Sequence, residues 1–150
     1  MRVIIQRVSE ASVTINDLVK SSIAQGFLVL LGITHEDTQE DIEWLTNKII
    51  GLRIFSDANG AMNLSIKDID GDLLVISQFT LHASTKKGNR PSFLEAARPE
   101  VAIPLYENFV STLSRKRTKE VYTGEFGADM KVRLLNDGPV TITIDSKNRE

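Results

Sequence analysis

The chain has 150 residues, of which 41% are hydrophobic and 25% charged, as in an ordinary globular protein with one hydrophobic core. It contains no cysteine, which excludes disulfides and thiolate metal sites, and its formal net charge of -2 gives no overall sign of a nucleic-acid-binding protein. The first residues are too short and too interrupted a run for a signal peptide, and no apolar stretch approaches the ~20 residues that span a bilayer. We therefore expect a cytoplasmic protein with a single domain, residues 1–150.

The first third of the sequence is dominated by strand patterns. Val3 and Ile5, and later Val13 and Ile15, alternate with polar residues, which predicts half-buried strands. The continuous apolar run over residues 26–33 is bounded by turn residues. It predicts a central strand that is buried on both faces.

A helix is predicted next. Thr38 is its expected N-cap, and acidic residues follow near the positive end of the helix dipole. Ile42, Leu45 and Ile49 share one face at helical spacing. Gly51 is a suitable residue for the end of this helix.

The middle of the chain combines a turn, a strand and a polar loop. Asn59-Gly60 predicts a hairpin turn, and residues 73–81 predict a second buried strand. Ser77, Gln78 and Thr80 make the end of that strand polar, and buried polar side chains cost free energy unless they are hydrogen-bonded. Local hydrogen bonding at a strand end and a functional site are both compatible with this pattern. Residues 82–92 predict a mobile polar loop.

A second helix is expected to begin at Pro99, with an apolar stripe formed by Leu105, Phe109 and Leu113.

The last part of the sequence predicts two strands, over residues 130–136 and 140–145, joined by a tight turn at Asp137-Gly138-Pro139. Proline cannot donate to a sheet ladder, so Pro139 marks either an ordinary turn or a special site. Together these elements predict an α/β fold in a single domain, with two main helices and a mostly antiparallel, curved sheet that resembles an open barrel or a sandwich.

The sequence offers few groups for cofactor or acid–base chemistry. His35 and His82 are the two histidines, and neither has a partner at a metal-ligand spacing. There is no glycine-rich phosphate loop and no GxSxG elbow, so we expect neither a metal nor a cofactor. On a strand, Thr80 and His82 would share one face, which makes a threonine nucleophile with a histidine base an alternative. No acid is placed to orient that imidazole.

Two basic clusters stand out against the acidic balance of the chain. Lys86 and Lys87 lie close to Arg90, and the run of residues 115–117 is followed by Lys119. Clusters of this kind belong more often to solvated faces than to RNA contacts, and by themselves they favour the solvated face.

Two short segments together carry a family resemblance. Ser77-Gln78-Phe79-Thr80, followed by Asn136-Asp137-Gly138-Pro139-Val140-Thr141, resembles the paired signature of the D-aminoacyl-tRNA deacylase family. Further segments resemble that family in the same order, so the resemblance covers nearly the whole chain: residues 1–8, 11–13, 32–35, 90–93 and 126–130. Either short motif alone would be weak, whereas the pair at this spacing is specific.

The resemblance implies a homodimeric hydrolase with its active sites at the dimer interface. Its substrates would be D-aminoacyl-tRNA and glycyl-tRNA mischarged on tRNA-Ala, and its role the proofreading of translation. Ser77, Gln78, Phe79 and Thr80 would line the pocket for the 3′-terminal adenosine and the ester.

The resemblance also assigns a chiral filter. The Gly138-Pro139 bond would be cis, would reach into the partner's site and would reject L-aminoacyl-tRNA, and Arg7 would help to hold it. The family relies on the 2′-hydroxyl of the RNA rather than on a side-chain base. Members carry other residues at the position of His82, which argues against that histidine as the base.

Three alternatives stay open. Thr80 could act as a covalent nucleophile instead of positioning the substrate. The chain could be a non-catalytic RNA-binding module that uses Lys86, Lys87 and Arg90, or an unrelated small hydrolase.

Overall fold

Strands alternate with two long helices in the computed structural model, which describes residues 1–149. In chain order the elements are β1 (Arg2–Ile15), β2 (Leu18–Ile23), β3 (Gly26–Gly32), α1 (Gln39–Gly51), β4 (Phe55–Ser56), β5 (Met62–Leu64), β6 (Asp72–Ser77), a 3₁₀ helix (Phe79–His82), α2 (Pro99–Arg117), β7 (Tyr122–Thr123) and β8 (Lys131–Asp145). None of the helices in this part of the chain is long and apolar enough to cross a membrane.

Six of the strands form one curved, mixed sheet. Its order is β2-β1-β3-β6-β7, and β8 also pairs with β1. The sheet curls until β2 lies beside β7, where the Ser21 hydroxyl donates to the Thr123 carbonyl oxygen at 2.6 Å, so the sheet is nearly closed into a barrel. The prediction of a mostly antiparallel sheet holds only for the pairings of β1. The pairs β3–β6 and β6–β7 are parallel, because connections that contain α1 and α2 return the chain to the same end of the sheet.

The two central strands are buried on both faces, as the sequence predicts. Phe27 and Leu73 face the helices, and Leu28 and Leu74 face the interior of the curved sheet. All four are essentially inaccessible to solvent. The segments that follow β3 and β6 are therefore attached to a closely packed part of the molecule.

Both predicted helices are present. Thr38 is the N-cap of α1, and its N–H donates to the Asp41 carboxylate at 2.8 Å. Helix α2 begins at Pro99, and its buried stripe includes Phe109. Leu105 of the predicted stripe is only half-buried. The predicted turn at Asn59-Gly60 lies between β4 and β5, which pair as a small separate hairpin.

The strand predicted over residues 73–81 is shorter than expected. It ends at Ser77, and the chain continues as the 3₁₀ helix. Gly32 explains the close packing of this turn on the end of β3, since a Cβ at Gly32 would lie 2.9 Å from the Leu81 Cβ. A 3₁₀ helix has three residues per turn, so Thr80 and His82 do not share a face as they would on a strand.

The prediction of two C-terminal strands joined by a tight turn is also wrong. The segment is one continuous strand, β8, and both of its halves pair with β1. Val8 pairs with Asn136 and Gln6 with Thr141, so residues 137–140 bulge opposite Arg7. The chain does not reverse here because β1, with 14 residues, is long enough to pair with both halves.

The basic cluster near the end of α2 is partly buried and makes structural contacts, although Arg115 is exposed. Arg117 is buried and donates to the Gly71 carbonyl oxygen at 2.7 Å. Lys116 lies 2.6 Å from the Glu43 carboxylate of α1. These contacts tie α2 to its neighbours, and the interpretation of the whole cluster as solvated is corrected accordingly.

Candidate active site

A pocket of about 270 Å³ lies at the carboxyl ends of β3 and β6. Ser77, Gln78 and Phe79 line one part of it, and Phe126 and Met130 line another. A larger groove of about 960 Å³ lies between α2 and residues 118–126, and none of the residues predicted for the site lines it. The smaller pocket is therefore the candidate active site.

The backbone at the pocket edge leaves two donors free. The N–H of Gln78 donates to the Leu31 carbonyl oxygen at 2.8 Å, and the N–H of Leu81 donates back to Gln78 at 3.3 Å. The intervening N–H groups of Phe79 and Thr80 have no acceptor within residues 1–149. Two adjacent free N–H groups can stabilise negative charge that develops on a substrate oxygen.

The side chain of Thr80 is exposed, and its hydroxyl accepts a hydrogen bond from the Gln78 amide. Within the described chain no imidazole or carboxylate contacts this hydroxyl. A hydroxyl group needs such a base to become a nucleophile. The hydrogen bond from Gln78 orients the Thr80 hydroxyl but does not activate it.

His82 lies apart from this pocket. It is 8% exposed and lines a different cavity, next to Arg2 and Asp145. Burial lowers its pKa, and its Nε2 has no hydrogen-bond partner among the described residues. The structure thus gives no support to a pairing of Thr80 with His82.

Arg7, on the neighbouring strand β1, contacts the bulge of β8. Its side chain is buried, and its Nε donates to the Asp137 carbonyl oxygen at 3.0 Å and lies 3.2 Å from the Asp137 carboxylate. A second nitrogen of the guanidinium donates to the Ile54 carbonyl oxygen. These three contacts tie the bulge at Asp137 to β1, which carries Arg7, and to Ile54.

Asn136 closes the same bulge from the other side. Its amide nitrogen donates to the Arg7 carbonyl oxygen at 3.0 Å and to the Val140 carbonyl oxygen at 3.2 Å. The peptide bond between Gly138 and Pro139 is cis, and both residues are exposed. Sequence reasoning quoted Asn136 within a family segment but did not recognise it as the clamp of this bulge.

The bulge is far from the pocket of its own chain. Across the ladder Arg7 pairs with Phe27, and Phe27 pairs with Leu73, which precedes Ser77 by four residues. Measured along the sheet surface, four residues of strand and three strand spacings separate the bulge from Ser77, a path of about 19 Å. Gly138 and Pro139 do not line the pocket.

Lys86, Lys87 and Arg90 are exposed in the loop that follows the 3₁₀ helix. The loop is closed by Ser84 and Ser92, whose backbone groups bond to each other at 2.8 and 2.9 Å. The three basic side chains lie outside the pocket. The described chain also lacks any group of three or more His, Asp or Glu side chains that could hold a metal ion.

Sequence reasoning missed the apolar residues of the pocket wall. Phe126, Ala128 and Met130 line the cavity. They fall within a segment that resembles the family, but apolar side chains in a loop give no chemical signal of their own.

Known proteins resemble this chain over nearly its whole length. The sequence model of the D-Tyr-tRNA(Tyr) deacylase family matches residues 4–145. A D-aminoacyl-tRNA deacylase of Flavobacterium johnsoniae is 65% identical over 150 residues, with both chains covered completely.

Two solved structures share the fold. A c-Myc DNA unwinding element binding protein superimposes with a TM-score of 0.92 at 41% identity, and the match covers 97% of this chain and 98% of the other. A protein described as "a probable eukaryotic D-amino acid tRNA deacylase" gives a TM-score of 0.83 at 18% identity over 95% and 97% of the two chains, which shows the fold alone. On the match over residues 4–145 and the full-length identity, the chain belongs to the D-Tyr-tRNA(Tyr) deacylase family.

Proposed function

We propose that this chain hydrolyses the ester that joins a D-amino acid to the 3′ end of tRNA. The observation that carries the proposal is the family match over residues 4–145, together with 65% identity to a relative named D-aminoacyl-tRNA deacylase. The pocket supports it, because its size and its free backbone donors suit an ester carbonyl.

The N–H groups of Phe79 and Thr80 serve in this proposal as the oxyanion site. A water molecule attacks the ester carbonyl carbon, and the bond from that carbon to the ribose 3′ oxygen breaks. The D-amino acid leaves as a carboxylic acid, and the proton lost by the water goes to the ribose 3′ oxygen. The 2′-hydroxyl of the same ribose relays this proton from the water to the 3′ oxygen, since no described side chain next to Thr80 is placed as a base.

Discrimination against L-amino acids is assigned to Gly138-Pro139 of the partner subunit. The bulge is exposed, is held by Arg7 and Asn136, and is separated from Ser77 of its own chain by about 19 Å along the sheet surface. In a homodimer its backbone carbonyls accept from the substrate amino group and leave no space for an L side chain. Glycine has no side chain to clash, so glycyl-tRNA mischarged on tRNA-Ala is a second expected substrate.

Such an activity proofreads translation. It removes D-aminoacyl-tRNA and mischarged glycyl-tRNA before they reach the ribosome, so the enzyme would work in the cytoplasm, where charged tRNA is used. A filter that senses only the configuration at Cα is indifferent to side-chain identity, and several D-amino acids are expected as substrates.

The test is stereospecific deacylation by the purified protein. D-Tyr-tRNA should lose its amino acid, whereas L-Tyr-tRNA should react at least about a hundredfold more slowly, because a steric clash of a few kcal/mol excludes it. Equal rates for the two enantiomers would contradict the chiral filter. Binding of tRNA without any turnover would favour an RNA-binding module instead.

A further inference from the structure

An exposed apolar patch lies at the rim of the pocket. Phe79 is 56% exposed, Phe93 39% and Leu94 87%. The rings of Phe79 and Phe93 meet edge to face, with centroids 5.1 Å apart. Two exposed aromatic rings in contact, followed in the chain by the exposed Leu94, mark a binding surface more often than isolated exposed residues do.

The patch continues directly from the pocket. The N–H of Ala97 donates to the Ile33 carbonyl oxygen at 2.9 Å, and both residues line the pocket together with Phe79. Phe93 and Ala96 form a turn closed by a bond of 3.1 Å between their backbone groups. A chain that leaves the pocket beside Phe79 therefore meets the Phe93 ring, and Leu94, the next residue, lies at the neighbouring cavity that contains His82.

The charge next to the patch is positive. Residues 84–98 carry four cationic side chains, Lys86, Lys87, Arg90 and Arg98, and one carboxylate, Glu95. The pairing of Ser84 with Ser92 confines the first three cations to one short loop that ends beside Phe93. Aromatic faces next to a cluster of cations are typical of surfaces that bind single-stranded nucleic acid.

We propose that Phe93 and Leu94, together with the loop of Lys86, Lys87 and Arg90, bind the unpaired nucleotides that precede the terminal adenosine of the tRNA 3′ end. The proposal rests on the proposed function, which places the terminal adenosine and the ester in the pocket. Bases of a single strand stack on the exposed ring and the leucine, and the cations contact the phosphates between them. A duplex does not fit this surface, because its bases are already stacked on each other.

Two substrates of different length test the proposal. D-Tyr-tRNA has the upstream nucleotides, and 3′-O-(D-tyrosyl)adenosine lacks them. The measured quantity is the ratio of kcat/KM for the tRNA to kcat/KM for the adenosine ester. Phe93→Ala should lower this ratio about tenfold, because the stacking of one base is lost. The loss should appear mainly as a higher KM for tRNA. Leu94→Ser should act in the same direction, and Phe93→Tyr should keep the wild-type ratio.

A matched control is Leu18→Ser on β2, which changes another exposed leucine, 74% accessible, that lies outside the patch. It should leave the ratio unchanged. Charge reversal of Lys86 and Lys87 should raise the KM for tRNA and weaken its dependence on salt, whereas reversal of the exposed Lys67 should not.

The outcomes separate this proposal from the function on which it rests. A wild-type protein that hydrolyses neither substrate refutes the proposed function. If the wild type hydrolyses both, an unchanged ratio in Phe93→Ala and Leu94→Ser overturns the nucleotide surface, and so does an equal loss on both substrates. A change from dimer to monomer in either variant, measured by analytical ultracentrifugation, would make the patch a subunit contact and would also overturn the proposal.

Discussion

The Thr80 hydroxyl accepts a hydrogen bond from the Gln78 amide, and no base contacts it within the described chain. We therefore expect Thr80→Ala to keep activity within about tenfold of the wild type, since one hydrogen bond of ordinary strength is lost. Replacement of the terminal 2′-hydroxyl of the substrate by hydrogen should slow hydrolysis at least about a hundredfold, because the proton relay is lost. Single-turnover rates with the two substrates measure both effects.

Thr80→Ser is the matched control for this prediction, because it keeps the hydroxyl and removes only a methyl group. An inactive Thr80→Ala that still folds and binds tRNA, together with an acyl-enzyme trapped in the wild type, would instead identify Thr80 as a covalent nucleophile.

At the level of single residues, the sequence predicts which residues are special but not what they contact. Ser77 to Thr80 and Gly138-Pro139 stand out by their resemblance to the family. The contact of Arg7 with Asp137 joins residues 130 positions apart and depends on the register between β1 and β8. No local pattern encodes that register where a bulge interrupts the ladder.

Helices and strands were predictable from the sequence where residues close together in the chain determine their ends. The N-cap Thr38 and the N-terminal Pro99 mark the starts of the two helices, and both signals act within one turn. The end of β6 at Ser77 depends instead on packing against Gly32, a residue of another strand. The continuity of β8 depends on the length of β1, so tertiary contacts decide both elements that sequence analysis misjudged.

The start of α1 is joined to the C-terminal segment through Asp41, which is the basis of a prediction about pH. Burial alone would raise the pKa of Asp41, but hydrogen bonds from Lys147, Ser146 and Thr38 outweigh it and hold the pKa well below its usual range. A carboxylate with a lowered folded-state pKa stabilises the fold above its unfolded pKa of about 4, and that stabilisation is lost as the pH falls towards the folded-state pKa.

Asp41→Asn should accordingly lower the free energy of unfolding by about 2–3 kcal/mol at neutral pH, because hydrogen bonds to a charged group are lost. The difference from the wild type should shrink when urea unfolding is repeated at about pH 3. Asp17→Asn, in an exposed turn, controls for the removal of one negative charge. A difference that stays constant between the two pH values would mean that Asp41 does not titrate in this way.

On the scale of the whole molecule, one chain does not bring the proposed catalytic groups together. The pocket lies at the ends of β3 and β6, and the bulge at Gly138 does not line it and is about 19 Å away along the sheet surface. The periodicity of hydrophobic residues and the secondary-structure propensities of a sequence describe one chain. They carry no information about how subunits are arranged. The homodimer was therefore predictable only from the resemblance, and a test of it must involve two chains.

A mixed dimer provides that test. Ala128→Trp fills the pocket of one subunit, since Ala128 lines the cavity of about 270 Å³. Gly138→Ala disables the bulge of the other, because φ there is +152° and a Cβ would lie 2.5 Å from the Val140 nitrogen. Each homodimer must first be shown to be folded, dimeric and impaired in stereospecific deacylation.

If the bulge serves the partner's pocket, one site of the mixed dimer has both defects and the other has neither, so about half of the wild-type stereospecific activity should remain. If each bulge serves its own pocket, every site has one defect, and stereospecific activity should fall to the level of the impaired homodimers. The two variants are purified with different affinity tags so that only mixed dimers are assayed, with D-Tyr-tRNA and L-Tyr-tRNA as substrates. The two arrangements predict activities that differ by about half of the wild-type value, which the assay can distinguish. Full stereospecific activity in a monomer would contradict the shared site directly.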